Sequence, residues 1–349
     1  MRKIRIGING FGRIGRAIYR INQKKQLFDI VVVNDINPDI KNMVYLLQYD
    51  STYGRYDEKI EHNDNQIFVG SDSFQVYHEE KILNVPWEKH DIDIVIDSSG
   101  VRSNLYPMLN DKSSVKNFII TNAPSGFDQI KTIIFGVNET QCDPNKNKVF
   151  SASICDTIAL APIINLIQRT HNIETGFLVT LHPWLTYQNL LDGPSASWSQ
   201  PGDIFSHYAL GRASTENLIP KSTSAIIAAE NVFPDLSKKI QSFSYRTPTK
   251  IVSSAVLILL LDEKITKSQL QTRFQKYEKT QEYKVIHNSI EPLTSLDYCG
   301  QEYSAIIDHR WTKIEKGVHL KLVYWYDNEW GYSSRVADLV KLISESYTD

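Results

Sequence analysis

The stretch Gly10-Phe-Gly-Arg-Ile-Gly15 decides how the first part of the chain folds. It follows Lys3 to Ile8, whose alternating polar and apolar residues predict a β-strand, and it precedes a helical pattern from Arg16 to Asn22. Ile30 to Asn34 predicts a second strand, with Asp35 directly after it. A strand, a G-x-G-x-x-G turn, a helix and a parallel strand within about 30 residues predict a Rossmann-type dinucleotide-binding unit.

The residue types of this turn explain why the pattern points to a dinucleotide. Glycines allow a tight turn and let a pyrophosphate approach the helix N-terminus. The carboxylate of Asp35 can bind an adenosine ribose 2′-hydroxyl and would repel a 2′-phosphate, so we expect NAD rather than NADP. The alternative is a glycine turn that serves only helix–strand packing. The cofactor contacts expected here are Gly10, Phe11, Gly12, Arg13, Ile14, Gly15 and Asp35.

Two later strand ends carry small polar residues of the kind that contact nucleotides. Asp93 to Asp97 predicts a strand that runs into Ser98-Ser-Gly100, and Asn117 to Thr121 predicts another, followed by Asn122. Ligands of doubly wound sheets bind beyond the carboxyl ends of the strands. We therefore expect Ser99 and Asn122 to line the cofactor site.

The second part of the chain predicts a different architecture. Phe243 to Arg246, Val252 to Leu261 and Leu320 to Tyr326 are typical of long antiparallel strands. The expected fold class is α/β, with a Rossmann-type doubly wound parallel sheet plus an α+β catalytic domain whose sheet is mainly antiparallel. The expected parts are an NAD-binding domain over 1–154, a catalytic domain over 155–332 and a C-terminal helix over 333–349 that packs back on the first domain.

The composition bounds the classes of function. The chain has 349 residues, more than one core usually serves, and its net charge of −2 gives no reason to expect nucleic acid or an anionic membrane as a partner. Three cysteines, Cys142, Cys155 and Cys299, are too few and too scattered to predict a disulfide framework or a zinc site, so we expect no metal. We expect neither a signal peptide nor a membrane span, since no apolar run approaches roughly 18 residues.

Ser151 to Pro162 contains the first candidate for chemistry. It places Cys155 before apolar residues that predict the start of a helix, where the helix dipole favours a thiolate and hence a nucleophile. The alternative is that Cys155 is a small buried apolar residue. A second candidate, His182, ends the strand predicted from Gly176, although a histidine there can equally be a satisfied structural residue.

Strings from nearly the whole chain resemble the phosphorylating glyceraldehyde-3-phosphate dehydrogenase family, its erythrose-4-phosphate dehydrogenase branch included. They are Ile8-Asn-Gly-Phe-Gly-Arg-Ile-Gly-Arg16, Asn34-Asp35, Tyr49-Asp-Ser51, Gly54-Arg55, Ala123-Pro-Ser125, Leu191-Asp-Gly-Pro194, Asn217-Leu-Ile-Pro220, Arg246-Thr-Pro-Thr249 and the highly specific Trp325-Tyr-Asp-Asn-Glu-Trp-Gly-Tyr332. The resemblance implies NAD as cofactor and an aldehyde as small-molecule substrate. It also implies a homotetramer, a cytoplasmic location and a place in glycolysis.

The resemblance also implies residue roles. Cys155 matches the nucleophile that attacks the aldehyde and later carries a thioester, and His182 matches the base that pairs with the thiol. Asn328 matches the residue that holds the nicotinamide carboxamide, and Tyr332 packs beside it. Two further residues match anion-site positions, Thr223 and Arg246. From the residues alone, Tyr332 could equally be a core aromatic and Arg246 a member of a surface ion pair.

The sequence departs from the family pattern around the cysteine and the histidine. Ile154 and Asp156 stand where the family has a serine and a threonine that help to hold inorganic phosphate. Leu185 replaces the threonine that binds the phosphate of the substrate, although Thr186 is adjacent. Ser224 replaces a glycine in the anion site. An ionised aspartate would repel phosphate and raise the pKa of the thiol.

Three hypotheses follow from these departures. The protein is a divergent NAD-dependent glyceraldehyde-3-phosphate dehydrogenase, which is the activity we favour. Alternatively, it is an aldehyde dehydrogenase that resolves the Cys155 thioester without phosphate, as the erythrose-4-phosphate branch does. Otherwise, it is a non-catalytic NAD-binding paralogue.

Overall fold

The computed structural model describes residues 3–195 and 207–347. The chain divides into two compact units. The first comprises Met1–Ile133, Thr140–Ser153 and Ser333–Asp349, and the second comprises Ile134–Glu139 and Ile154–Tyr332. Residues 348 and 349 of the predicted C-terminal helix lie outside the described residues.

The α-helices among the described residues vary from one turn to more than four turns. They are α1 (Arg13–Lys25), α2 (Ile40–Gln48), α3 (Leu105–Leu109), α4 (Cys155–Gln168), α5 (Ala225–Ala229), α6 (Leu236–Lys239), α7 (Lys267–Thr280) and α8 (Trp330–Glu345). The helix predicted from the glycine turn is thus α1, and the cysteine is the first residue of α4.

The first unit contains a nine-stranded sheet. Its strands are β1 (Arg5–Asn9), β2 (Asp29–Asn34), β3 (Ile60–His62), β4 (Gln66–Val69), β5 (Asp72–Tyr77), β6 (Ile94–Asp97), β7 (Asn117–Ile120), β8 (Lys131–Thr132) and β9 (Val149–Ser151). The spatial order is β3-β4-β5-β2-β1-β6-β7-β9-β8. All neighbours from β5 to β8 in this order are parallel, whereas β3, β4 and β5 pair antiparallel.

The apolar character of the central strands explains why this sheet is parallel. Every residue of β6 and β7 is buried, as expected for strands covered on both faces. Val95 and Phe118 pair across these two strands within one core cluster. The chain order reverses beside β1, so β2 and β6 flank it, and the loops after β1, β2, β6 and β7 meet at one sheet edge.

The second unit contains an eight-stranded, mainly antiparallel sheet. Its strands are β10 (Ile173–Pro183), β11 (Ile219–Lys221), β12 (Ile240–Thr247), β13 (Ser253–Leu261), β14 (Ile286–Ser289), β15 (Ala305–Asp308), β16 (Lys313–Glu315) and β17 (His319–Tyr326). The order is β11-β12-β10-β13-β17-β15-β14, with β16 beside β17. The predicted antiparallel strands at β13 and β17 pair as expected.

One strand pairing differs from the prediction and matters for the site. The strand predicted from Phe243 is antiparallel to β11, but it is parallel to β10. The parallel register places His182 opposite Arg246. Sequence patterns fix which residues form strands but not the direction of the neighbour, which depends on the path of the intervening chain. No helix in the described part of the chain is long and apolar enough to cross a membrane.

Candidate active site

The glycine turn of the first unit has the shape that a bound dinucleotide requires. Gly10 has φ +89°, and a Cβ there would lie 2.6 Å from the backbone nitrogen of Ser99. A Cβ on Gly15 would lie 2.3 Å from the carbonyl oxygen of Gly10, so these two positions need glycine for packing. A Cβ on Gly12, by contrast, would have no heavy atom of the described residues within 4 Å. The turn is therefore tight on its inner side and open at Gly12.

The backbone amides at this turn are the groups that suit a pyrophosphate. Gly12 is the N-cap of α1, and within the described residues no side chain caps the helix, so its first amides remain available to an anion. The Phe11 ring packs in the core against Tyr19 and Phe74. Arg13 pairs with Asp50 at 2.7 Å. Of the predicted contacts in this turn, Arg13 can thus serve a pyrophosphate mainly through its backbone, whereas the amide of Phe11 donates to Asp35. Ile14 is half-buried.

Asp35 lies where a ribose-binding carboxylate is expected. Its Oδ2 accepts from the amide of Phe11 at 2.6 Å, and its Oδ1 accepts from the amide of Asn37 at 2.9 Å. These bonds fix the carboxylate beside the glycine turn, and each oxygen keeps a lone pair for a further donor.

The other two predicted residues of the first unit lie at its strand ends. The Ser99 hydroxyl donates to the buried carboxylate of Asp97 at 2.6 Å, and burial raises the pKa of Asp97. The side-chain oxygen of Asn122 is buried and, within the described residues, has no hydrogen-bond partner. A buried unpaired acceptor is rare in a folded protein, and a bound ligand would satisfy it. The open turn, the uncapped amides and this acceptor fit NAD.

In the second unit, Asn328 and Tyr332 are both buried. The hydroxyl of Ser253 donates to the side-chain oxygen of Asn328 at 3.4 Å. Ser253 follows Val252, whose φ of 70° is an outlier for a β-branched residue and marks local backbone strain. Burial raises the pKa of Tyr332, and the nearby thiol of Cys155 raises it further. Asn328 is therefore held from β13, and Tyr332 lies close to the cysteine.

Cys155 and His182 are brought together, although 27 positions separate them. The Sγ of Cys155 lies 3.7 Å from Nε2 of His182. The Nδ1 of His182 lies 2.7 Å from the carbonyl oxygen of Pro183, which can only accept. Nδ1 therefore carries the proton, and Nε2 presents a lone pair to the thiol. Burial, and then the charge of Arg246, lower the pKa of His182 to about 4, so the ring is neutral near pH 7.

Asp156 lies beside the same sulfur atom as His182. Its Oδ1 lies 3.6 Å from the Sγ of Cys155 and accepts from the Tyr326 hydroxyl at 2.7 Å. Its Oδ2 accepts from the Thr223 hydroxyl at 3.2 Å. The residue is only 8% exposed. The sequence identifies Asp156 as a departure, but it gives no sign of the Tyr326 contact, which joins positions 170 residues apart.

The charge of Asp156 acts directly on the thiol. Burial raises the pKa of Cys155 well above its usual range, and Asp156 raises it further, whereas Arg246 lowers it. The N-terminus of α4, which no side chain of the described residues caps, favours a thiolate. Desolvation and the carboxylate outweigh this effect, so the resting enzyme holds a protonated thiol.

Arg246 forms the cationic wall of the site. It is buried, its Nη2 lies 3.4 Å from the Tyr187 hydroxyl, and its Nε has no hydrogen-bond partner in the part of the chain that the structure describes. Lys221 lies close to Arg246. Burial lowers the pKa of Lys221 most, and the charge of Arg246 is the next largest cause of that lowering. Two adjacent cations, one of them buried and incompletely paired, favour binding of an anion. Sequence reasoning missed Lys221. Its positive charge two positions before Thr223 could have indicated a further anion-site residue.

The remaining residues predicted to bind anions differ in their surroundings. Thr223 contacts Asp156, as described, and its hydroxyl also accepts from the amide of Ala225. Thr186 and Ser224 are both exposed. The ligand-type atoms of Cys155, Asp156 and His182 all lie within 4.8 Å of one another, so this group could also hold a metal ion.

The chain is similar to known dehydrogenases along nearly its whole length. Residues 4–105 match the family model described as glyceraldehyde 3-phosphate dehydrogenase, NAD binding domain, and residues 154–328 match that of the C-terminal domain. The chain is 32% identical over 343 residues to glyceraldehyde-3-phosphate dehydrogenase 2 of Bacillus subtilis, covering 98% of this chain and 97% of the relative. It is 33% identical to glyceraldehyde-3-phosphate dehydrogenase 1 of Saccharomyces cerevisiae, covering 98% and 100%. The Borreliella burgdorferi enzyme is 34% identical, with coverage of 97% and 99%.

The fold and the NAD-binding match define an NAD-dependent oxidoreductase. The chain belongs to the glyceraldehyde 3-phosphate dehydrogenase family. The predictions of family, fold class, NAD and dehydrogenase are thereby confirmed.

Proposed function

We propose that the protein oxidises a phosphosugar aldehyde with NAD through a thioester on Cys155. The observation that carries this proposal is the 3.7 Å approach of the Cys155 Sγ to Nε2 of His182, whose other nitrogen donates to Pro183. This arrangement pairs a nucleophile with an acceptor for its proton, as nucleophilic catalysis requires.

The chemistry of these two side chains proceeds in two stages. His182 takes the thiol proton as the sulfur attacks the aldehyde carbon, and it returns the proton to the oxygen of the resulting hemithioacetal. It then withdraws the hydroxyl proton as the hemithioacetal is oxidised to a thioester. NAD supplies the hydride acceptor for this oxidation. The low pKa of His182 keeps the ring neutral and able to accept a proton at both stages.

We propose residues 1–154 with the helix at 333–349 as the NAD-binding domain and residues 155–332 as the catalytic domain. The amides at Gly12 would bind the pyrophosphate, and Asp35 would bind the adenosine ribose. The other contacts proposed are Gly10, Phe11, Arg13, Ile14, Gly15, Ser99, Asn122, Asn328 and Tyr332.

The anionic end of the substrate would bind to Arg246. Its buried guanidinium and the neighbouring Lys221 suit a phosphate, and the family name suggests glyceraldehyde 3-phosphate. Thr223, Thr186 and Ser224 are the other residues proposed for anion binding.

The acyl acceptor distinguishes two candidate activities. The first is phosphorolysis to an acyl phosphate, as in the phosphorylating family. The second is a phosphate-independent dehydrogenase of the erythrose-4-phosphate type, which the carboxylate of Asp156 beside the thiol favours. Its charge repels inorganic phosphate at the place where phosphate would attack the thioester.

The proposed activity is tested by following NADH formation from a panel of aldehydes, glyceraldehyde 3-phosphate and erythrose 4-phosphate included. We expect NADH formation from at least one phosphosugar aldehyde. If no aldehyde reduces NAD although NAD binds, the protein is a non-catalytic paralogue and the proposal is wrong.

We also propose a homotetramer located in the cytoplasm. The outer face of the second sheet exposes apolar side chains on three adjacent strands. Phe177 of β10 pairs with Ile258 of β13, and two residues along β10, Val179 pairs with Phe243 of β12. Such a patch marks an interaction surface, here for a second copy of the chain. Light scattering should give a mass four times that of one chain, and a monomer would contradict the proposal.

A further inference from the structure

We propose that Asp156 is the general base that activates water to hydrolyse the Cys155 thioester, so that the product is a carboxylic acid and not an acyl phosphate. This inference rests on the proposed function, because it needs a thioester. It names the acyl acceptor and the residue that delivers it.

The first argument is that the carboxylate already uses the donor that an attacking phosphate would need. The Thr223 hydroxyl points at Oδ2 of Asp156, at 3.2 Å. The Tyr326 hydroxyl donates to Oδ1, and burial raises the pKa of Tyr326, so it remains a donor. A buried anion therefore takes up these two hydroxyl donors near the thiol. A phosphate entering here would meet a like charge and no free partner at Thr223.

The second argument concerns what changes when the sulfur becomes acylated. In the resting enzyme the thiol has two acceptors, Nε2 of His182 at 3.7 Å and Oδ1 of Asp156 at 3.6 Å. A thioester sulfur carries no hydrogen, so acylation frees a lone pair of Oδ1 that faces the sulfur. Each carboxylate oxygen has two acceptor sites, and Tyr326 occupies only one of those on Oδ1. The freed site is the natural acceptor for a water beside the acyl group.

The third argument is geometric. A water about 2.8 Å from Oδ1 and about 3 Å from the thioester carbon satisfies the usual distances for a hydrogen bond and for an attacking atom. With the carbon bonded to Sγ, both distances are compatible with the 3.6 Å separation of Sγ and Oδ1. Asp156 is thus within one water of the reacting atom, as a general base must be.

His182 is already engaged at this stage. In the proposed cycle it takes the hydroxyl proton of the hemithioacetal and returns it to the leaving sulfur, so Asp156 is the base assigned to water. Asp156 takes one proton from water while the water oxygen bonds to the carbonyl carbon. The carbon–sulfur bond then breaks, and the sulfur recovers the proton that His182 holds, while Asp156 releases its own to solvent. The sum is aldehyde, NAD⁺ and water going to carboxylic acid, NADH and a proton, and the thiol is regenerated.

Acetylation of Cys155 by 4-nitrophenyl acetate tests this step without NAD or the true aldehyde. The reagent forms a thioester on the thiol, and peptide mass spectrometry follows loss of the acetyl group from Cys155. We expect deacylation to proceed at the same rate with and without inorganic phosphate, and the acetate to carry one oxygen from isotopically labelled water.

Asp156→Asn should slow deacylation by about 100-fold or more, because general-base catalysis contributes that much. The matched control is Asp143→Asn, which changes the aspartate of the other Cys–Asp pair, Cys142-Asp143, and should leave deacylation of Cys155 unchanged. Asp156→Glu keeps the carboxylate and should recover part of the rate, which a merely structural role would not require. If the asparagine variant does not fold, the phosphate and labelling results on the wild-type protein still test whether water is the acyl acceptor. The deacylation rate of the glutamate variant then tests the role of Asp156.

Two results would overturn the inference. One is wild-type deacylation that accelerates in proportion to phosphate and yields acetyl phosphate. The other is deacylation of the Asp156→Asn variant at the wild-type rate. Failure of the proposed function would show differently, as absence of NADH from every aldehyde while the acetyl enzyme is still hydrolysed.

Discussion

The hydroxyl of Thr223 donates to the carboxylate of Asp156 across 3.2 Å. This contact joins the first turn of α4 to the residue before the N-cap of α5. It places a negative charge where the family pattern has hydroxyl groups that hold inorganic phosphate. Cys155 and His182, the proposed nucleophile and base, lie beside it, so under the proposed function this charge faces the step that resolves the thioester.

Replacing Asp156 by threonine should make Cys155 more reactive. Asp156 raises the pKa of this thiol, second only to burial, so removing the charge lowers the pKa. One pKa unit is a tenfold change in thiolate, so we expect alkylation by iodoacetamide at pH 7 to accelerate about tenfold. Peptide mass spectrometry at Cys155 measures the rate. An unchanged rate would show that the carboxylate does not control the thiol, and Asp143→Thr is the control.

Replacing Cys155 by serine should abolish NADH formation from every aldehyde. A serine hydroxyl is a far weaker nucleophile than a thiol, and we expect a loss of at least about 1,000-fold. The matched controls are Cys142→Ser and Cys299→Ser, which remove half-buried cysteines and should leave turnover intact. Turnover by the Cys155 variant would exclude a thioester.

Replacing Arg246 or Lys221 by methionine should weaken binding of a phosphorylated aldehyde. A charged hydrogen bond contributes about 1.5–3 kcal/mol, so we expect KM to rise roughly 10- to 100-fold. An aldehyde without phosphate should be affected much less. Arg212→Met is the control, because Arg212 is exposed and pairs with Asp192. An equal effect on both substrates would argue against a phosphate contact.

Replacing Asp35 by serine should change cofactor selectivity. The variant loses a hydrogen bond to the ribose and a charge that repels a 2′-phosphate, so KM for NAD should rise about tenfold and activity with NADP should increase. The control is Asp29→Ser at the other end of β2, where the carboxylate forms an exposed ion pair with Lys3. Steady-state kinetics with NAD and with NADP measure the KM and the activity for each cofactor.

His309 should make the protein less stable in acid. Burial, and then Lys267, lower its pKa from 6.5 to about 4, so the folded state favours the neutral ring. The unfolded chain binds the proton first, and stability is lost as the pH falls from about 6.5 toward 4, by up to about 3 kcal/mol. Urea unfolding at pH 7 and pH 5 should show this loss, and it should be smaller in His309→Gln. The same pH slope in both proteins would exclude His309 as its source.

Much of the fold follows from local sequence because its signals are local. The glycine turn, the strand before it and Asp35 lie within one short segment, and glycine is required wherever a side chain would collide with backbone. The apolar runs at β6 and β7 indicate a sheet buried on both faces. The parallel partner of β12 could not be obtained this way, because strand direction depends on the path of the connecting chain.

By itself, the sequence determined the NAD-binding fold and the family, and it singled out Cys155, His182 and the replacement at Asp156 as candidate site residues. Only the tertiary structure decided what surrounds them. It brought Tyr326 and Thr223 to the two oxygens of Asp156, and it placed Lys221 beside Arg246. Hydrogen bonds act over about 3 Å, and positions up to 170 residues apart reach that distance only when the sheet and helices pack. The chemistry proposed for the thioester therefore comes from contacts that no sequence spacing encodes.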